Sequence, residues 1–269
     1  MVAIQGVKIP ELPDEILELE REITSKFSNV ANVSDIIEKN TTLSGELLKI
    51  VNSPIMKLRQ PCTSIREAVG TLGLDNVYNL VVASALKNIF GQKGLLKDIM
   101  DHSVDVAFCM ADISDWVEGI SREEAYMFGL FHNSGALLLA SKDEKRYAAI
   151  FSNSMSRPVS ILAIEDKYFG SNHAMIGVLM GKKWKLPVEM IHATMLHHTP
   201  SCEKIINDKV RAMVAMVKVA NSIIAEISLG AYRGDEMKAY ERDGIEELAI
   251  PYEVVSEIRT AVMSYTFKS

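Results

Sequence analysis

Apolar residues recur at three- and four-residue intervals through one segment after another of this chain, and the strict alternation of a half-buried strand is almost nowhere found. Helix-on-helix packing is then the natural outcome, because each segment has one apolar stripe to cover and no sheet to cover it with. β-Branched and aromatic residues do not dominate, while Leu, Ala, Met, Glu and Lys recur throughout. The 14 methionines suit irregular gaps between packed helices. The expectation is an all-α protein, a two-lobed helical bundle.

Pro, Gly, Asn and Ser mark the breaks between segments. Pro10 and Pro13 precede a first helix whose apolar face would hold Ile16, Leu17, Leu19, Ile23 and Phe27. Ser34 or Asp35 can cap a second, carrying Ile36 and Ile37. A third, with Leu43, Leu47, Leu48 and Val51, stops at Asn52-Ser53-Pro54, since proline disfavours helix in the residue before it. Ser64 with Glu67, and Ser121 with Glu124, both spell a capping box, in which the two side chains satisfy orphan amides reciprocally. The first opens a helix broken near Gly73 and resumed over 75–90, after which Gly91 and Gly94 interrupt the pattern. Beyond them the spacing predicts helices over 96–117, 121–140, 159–169, 173–184, 188–196 (behind Pro187), 204–227, and two short ones within 235–267. The chain thus divides into an N-terminal lobe, 1–93, a second lobe, 94–230, and a C-terminal helical tail, 231–269, packed on the module.

Charge narrows the function. Lys and Arg total 29 against 35 Asp and Glu, a formal net charge of −6. Lys182-Lys183 and the basic residues within 142–146 are short and interrupted. Affinity for nucleic acid is dominated by phosphate neutralisation, so a chain without a basic face is expected to bind neither DNA nor RNA. The longest apolar stretch, 77–90, is interrupted by Asn79, Lys87 and Asn88 and is too short to span a bilayer. Residues 1–10 lack a basic stretch followed by an apolar core, so no secretory signal is expected. Cys62, Cys109 and Cys202 lie far apart with no C-x-x-C pair. Reduced, buried thiols in a cytoplasmic protein are expected, rather than a disulfide framework or zinc knuckle.

The six histidines, His102, His132, His173, His192, His197 and His198, all fall in the second half. His132-Asn133 lies between Gly129 and Gly135, small residues that allow close backbone approach. His102-Ser103 has Ala107 and Ala111 behind it, His173 follows Phe169-Gly170, and His197-His198 ends a helix ahead of Thr199-Pro200. Plainer readings stand beside these. Buried Asn and His usually hydrogen-bond within a core, which would account for Asn133 and for Asn221 on its apolar helix. A His pair at a helix C-terminus is favoured by the dipole, and His192 reads as packing or surface. Trp116 and Trp184 read as core anchors, and Met175, Met180, Met190 and Met195 as helix-spaced core. No phosphate-binding glycine loop, G-x-S-x-G elbow or H-E-x-x-H pair is present.

These residues resemble a known family. Residues 47–53, Leu-Leu-Lys-Ile-Val-Asn-Ser, are similar to the helix-ending Asn-Ser motif of HDOD domains, relatives of the HD metal-dependent phosphohydrolases. Ile65, Ala68 and Leu72-Gly73 resemble the signature that follows it. Glu165, Phe169-Gly170, His173, Gly177, Trp184, Leu186-Pro187 and His197-His198 resemble the second-half run, and the resemblance covers residues 11–225. The Gly-Tyr-Pro that follows the His pair in cyclic dinucleotide phosphodiesterases is missing.

The resemblance implies metal ligands at His102, at the pair His132-Asn133 and at Asn221, where the superfamily has His, His-Asp and Asp. Amides therefore stand in place of two carboxylates. A carboxamide oxygen is a neutral ligand and a carboxylate an anionic one, so attraction for a divalent ion falls and the means of activating water for hydrolysis are lost. The implied reading is a degenerate site with no catalytic residues and no obligatory cofactor, at most a weakly held Fe, Mn, Mg or Ni ion. Glu165, His173, His197 and His198 would line a binding cleft. The implied function is a non-catalytic module of bacterial signal transduction that binds a signalling protein, or else a nucleotide. The alternatives are a metal-dependent phosphohydrolase acting on a nucleotide or phosphoester, with Asn133 as a neutral ligand, and a ligand or metal sensor without turnover.

Overall fold

The computed structural model describes residues 7–90, 93–230 and 233–266, and among these no strand occurs. The helices are α1 (Asp14–Ile23), α2 (Val30–Glu38), α3 (Thr41–Val51), α4 (Ile65–Leu72), α5 (Leu74–Phe90), α6 (Gly94–Ile113), α7 (Arg122–Phe131), α8 (Ser134–Lys142), α9 (Glu144–Ser154), α10 (Ile161–Phe169), α11 (His173–Lys183), α12 (Val188–Leu196), α13 (Asp208–Leu229), α14 (Asp235–Leu248) and α15 (Tyr252–Thr266). The all-α expectation holds. Gly91 lies outside the described residues.

Local chemistry sets most of the starts. The side-chain oxygens of Asn29, Asn40, Ser64, Ser121, Asp143, Asn172 and Asn207 each accept a backbone amide of the first turn that follows, filling a donor that a helix cannot satisfy internally. The second helix therefore begins earlier than expected. Asn29 is its cap, and Ser34 sits inside it, donating its hydroxyl back to the Val30 carbonyl at 2.6 Å. Both serine caps predicted from sequence form; Glu67 also takes the amide of Thr63, and Glu124 pairs with Lys209.

Other expectations need correction. Residues 121–140 form two helices, broken at His132-Asn133, and α9 was not anticipated at all. Phe27 lies beyond α1 and is 81% exposed, and Trp116 is 52% exposed, in contrast to the buried Trp184. Met180 and Met190 are buried, whereas Met175 and Met195 are exposed.

Helix α13 is buried on nearly every side, including the ammonium of Lys218, which marks it as a central strut. It packs on α6, α12, α14 and α15, while α6 also packs on α7 and α8. Close approach at two glycines draws the histidine-bearing helices together. A Cβ on Gly129 would strike the Ala107 backbone of α6, and one on Gly135 would strike the carbonyl oxygen of His173. The tail is tied to this assembly by polar contacts from α14. Glu236 accepts the amides of Val159 and Ser160 at 2.7 and 2.9 Å. Asp243 accepts the Lys218 ammonium at 2.5 Å and the Cys202 amide at 3.0 Å.

Candidate metal centre

Two helices end in histidines that point inward. His132 caps the end of α7 and donates Nδ1–H to the Gly129 carbonyl at 2.5 Å; His197 caps the end of α12 and donates Nδ1–H to the Thr194 carbonyl at 2.7 Å. A carbonyl oxygen can only accept, so the proton sits on Nδ1 in both rings and Nε2 carries a bare lone pair when the ring is neutral. His173, the first residue of α11, is anchored differently. Its Nδ1 lies 2.7 Å and its backbone amide 2.8 Å from Oε2 of Glu165. The other oxygen of Glu165 accepts the Tyr147 hydroxyl at 2.6 Å. Burial pushes the Glu165 carboxyl upward, but His173 and Tyr147 outweigh it and hold it below its usual value.

The three rings, with His198, converge. His173 Nε2 stands 3.1 Å from His197 Nε2 and 2.8 Å from His198 Nε2. His173 and His197 each have their Nδ1–H already committed, so two lone pairs would face each other across 3.1 Å unless a positive charge lies between them. That charge is either a proton shared between the two rings or a metal ion. Burial, then the neighbouring imidazoles, pushes His132, His197 and His198 well below the ordinary histidine range. Neutral rings are the form that binds a metal.

The residues fit such an ion. The ligand nitrogens of His173, His197 and His198 lie within 4.8 Å of one another. Spacings near 3 Å are those of neighbouring ligands bonded to one ion at about 2.0–2.1 Å. His132 Nε2 is buried with no partner, and its ring centroid lies 5.4 Å from that of His197. Anchoring of the far ring nitrogen by a carbonyl or carboxylate is the usual outer support of a metal-bound histidine.

The residues expected to hold metal lie beside this cluster. His102, in the middle of α6, has Nε2 3.0 Å from Oδ1 of Asn221 on α13, which leaves its Nδ1 buried and unpartnered. Burial pushes His102 down to about 4. Its ring centroid is 6.3 Å from that of His132. Asn133 and Asn221 line a cavity of about 30 Å³ shared with His102, His173, His198 and Glu165, room for an ion or a water and little more. The structure thus brings all eight predicted residues to one place. His173, His197 and His198 form its tightest part, and Glu165 supports the cluster from outside. His192 is exposed and apart.

Sequence reasoning missed Tyr147, because α9 was missed with it. It also passed over Lys218 and Tyr240. The Tyr240 hydroxyl donates to the His197 carbonyl, and the Lys218 ammonium lies 5.0 Å over the Tyr240 ring. A lone lysine inside the apolar run 213–225 was the available signal for Lys218.

Known proteins place the chain. An uncharacterized protein of Treponema pallidum (strain Nichols) is 23% identical over 192 residues, which is 71% of this chain and 37% of that protein. The chain therefore spans little more than a third of the length of that curated relative. The HDOD domain protein of unknown function from Geobacter sulfurreducens superposes with a TM-score of 0.69 at 23% identity, covering 96% of this chain and 94% of that one. A protein provisionally named a phosphohydrolase, from Shewanella amazonensis SB2B, superposes with a TM-score of 0.68 at 22% identity, covering 93% and 90%. The HDOD domain profile itself matches residues 9–200, a span that includes Asn52-Ser53, both serine caps and every histidine of the cluster; this chain belongs to the HDOD domain family.

Proposed function

We propose that this chain is a non-hydrolytic regulatory module of bacterial signal transduction. Its buried imidazole cluster holds one divalent ion as a structural or sensory centre, and its output is the binding of a partner protein. The observation that carries this reading is the 3.1 Å approach of His173 Nε2 to His197 Nε2 with both Nδ1–H groups engaged. A bound ion would supply Lewis acidity, but the chain's own residues give it little to work with. Asn133 and Asn221 are neutral where two carboxylates are expected, and both oxygens of Glu165 are taken by Tyr147 and His173. No other carboxylate among the described residues lines the small cavity, so nothing there is placed to activate a water. Neutral imidazoles suit Fe or Ni better than Mg or Mn, which prefer oxygen. Three free, buried cysteines accord with a cytoplasmic setting, and no helix among the described residues is long and apolar enough to cross a membrane.

A second reading, a metal-dependent phosphohydrolase acting on a nucleotide or phosphoester, draws on the same cluster and on the provisional name of the Shewanella protein. A cavity of about 30 Å³ argues against it, since no nucleotide enters without displacement of surrounding side chains.

Metal content of protein purified without chelators, read together with turnover on nucleotides and a generic phosphodiester, separates the two. Stoichiometric metal without turnover is expected. Metal-dependent turnover transfers the assignment to the hydrolase, and protein that folds free of metal and takes none up assigns the shared charge to a proton.

A further inference from the structure

A second concavity lies apart from the histidines. A cleft of about 1060 Å³ follows a different face of α6 from the one that carries His102, with lining residues from Lys97 to Trp116. From Lys97 to the end of α6 this is about 25 Å of helix, with Asp115 and Trp116 in the turn beyond it. Val104 and Phe108 contribute from α6, Ile258 and Ala261 from α15 form one wall, and residues 53–57 form the other.

The second wall is built, not incidental. The Asn52 carboxamide donates to the Cys62 carbonyl at 2.8 Å and accepts the Cys62 amide at 2.7 Å, which closes the segment between them into a ring. Lys57 holds a left-handed backbone, φ 49°, a conformation that non-glycine residues seldom adopt. Its ammonium lies 3.4 Å from Asp112 and 2.5 Å from Asp115. Arg122 completes the clasp, donating to the Ile55 carbonyl at 2.7 Å and pairing with Asp112 at 3.3 Å. At the lip, the Ser53 hydroxyl is buried without a partner.

Two features define an occupant. Five carboxylates line the cleft against two lysines; Lys97 pairs with Asp101, and Lys57 and Arg122 pair with Asp112 and Asp115, yet the lining keeps a net negative charge. Asp101, Asp105 and Asp112 recur along α6 at four- and seven-residue steps, the spacing at which one helix presents a row of charges to another lying alongside. Between the acids lie Val104 and Phe108, and at the end stands the half-exposed Trp116, a residue type enriched where binding energy concentrates.

We propose that this groove receives a cationic amphipathic helix of a partner protein, with its Lys and Arg on the α6 carboxylates and its apolar face on Val104, Phe108 and Trp116. The inference is independent of the histidine cluster: metal content and turnover can come out either way without touching it.

The test is fluorescence anisotropy of a labelled 18-residue peptide, Leu on one helical face and Lys on the other, titrated with the full chain. A Lys-to-Glu version and a shuffled version of equal composition serve as controls. Saturable one-to-one binding of the first peptide alone is expected, weakening with salt. Trp116→Ala, at an exposed position, and the Asp101→Asn/Asp105→Asn pair are each expected to weaken it by about tenfold or more. Equal binding of the shuffled peptide, no binding, or binding untouched by both variants overturns the proposal. So does sedimentation showing a dimer that Trp116→Ala dissolves, which would give the groove to a second copy of the chain.

Discussion

His132 and His197 meet edge to face, ring centroids 5.4 Å apart, and are held by one device used twice. Each ends a helix and returns its Nδ1–H to the carbonyl three residues back. The last carbonyls of a helix lack internal partners, so the ring satisfies an orphan acceptor while its tautomer is fixed. Two helices that meet here therefore aim two lone pairs at the same space.

Glu165→Gln isolates the outer support. Glutamine keeps the size of the side chain and an oxygen for His173, but removes the charge. Cobalt titrated calorimetrically into chelator-stripped protein should bind about 10–100-fold more weakly than to wild type, with the melting transition little changed. Unchanged affinity would mean that the carboxylate does not set the His173 ring.

Asn133→Asp combined with Asn221→Asp tests the charge argument from the other side. Both positions line the small cavity, and Asn221 already touches His102 at 3.0 Å. A carboxylate about 4 Å from a divalent ion contributes several kcal/mol at an effective dielectric of about 20, before desolvation. Divalent-ion affinity in the same titration should therefore rise by at least about tenfold. An affinity equal to wild type would place the ion away from these two residues.

A pair of glycine substitutions separates packing from helix propensity. Gly135→Ala would drive a methyl group into the His173 carbonyl, and overpacking of this kind costs about 1–3 kcal/mol. Gly45, exposed within α3, has nothing within 4 Å of an added Cβ, and Gly45→Ala should stabilise by about 0.5–1 kcal/mol. Urea denaturation of both variants checks the two signs; a neutral Gly135→Ala would show that α8 and α11 are not locked together there.

Acid should loosen α14. Burial raises the carboxyls of both Glu236 and Asp243, but hydrogen bonds from Ser160 and Val159 to the first, and from Lys218 and Cys202 to the second, outweigh it and hold both below their usual values. A depressed folded value means that the stabilisation is complete above the unfolded carboxylate value and is lost as pH falls through the folded one. Amide exchange in α14 should therefore accelerate only below about pH 4. Asp243→Asn should be the costlier change in this pair at neutral pH, about 3–5 kcal/mol, because it strands the wholly buried Lys218 ammonium; Lys218→Met leaves only a carboxylate that reaches water. Equal costs would show that the lysine finds another partner.

What could be read from the sequence was local. Pro54, the Ser64 and Ser121 caps and the glycine after α4 fix boundaries through bonds within a few residues, and these fell where expected. The break between α7 and α8 could not be seen, because 125–140 is buried throughout and shows no change of face to mark a change of direction. Helix α9 carries Tyr147, Ile150 and Phe151 at helical spacing, but its polar majority hid the stripe. Trp116 was misplaced because large aromatics are usually buried, and only the fold reveals that its end of α6 is open. Each site histidine was legible as a residue; their convergence depends on Gly129 and Gly135, whose contacts lie in helices distant along the chain.

Helix α6 carries His102 toward the imidazoles and, at the adjacent position and one turn on, Asp101 and Asp105 toward the cleft. A stiff rod gripped at two places cannot roll or slide at one without the other. If filling the groove changes the hold on an ion by some factor, loading the ion must change the hold on the groove's guest by that same factor. Were the cleft to take a helix and the imidazoles an ion, as proposed, each site would then report on the occupancy of the other.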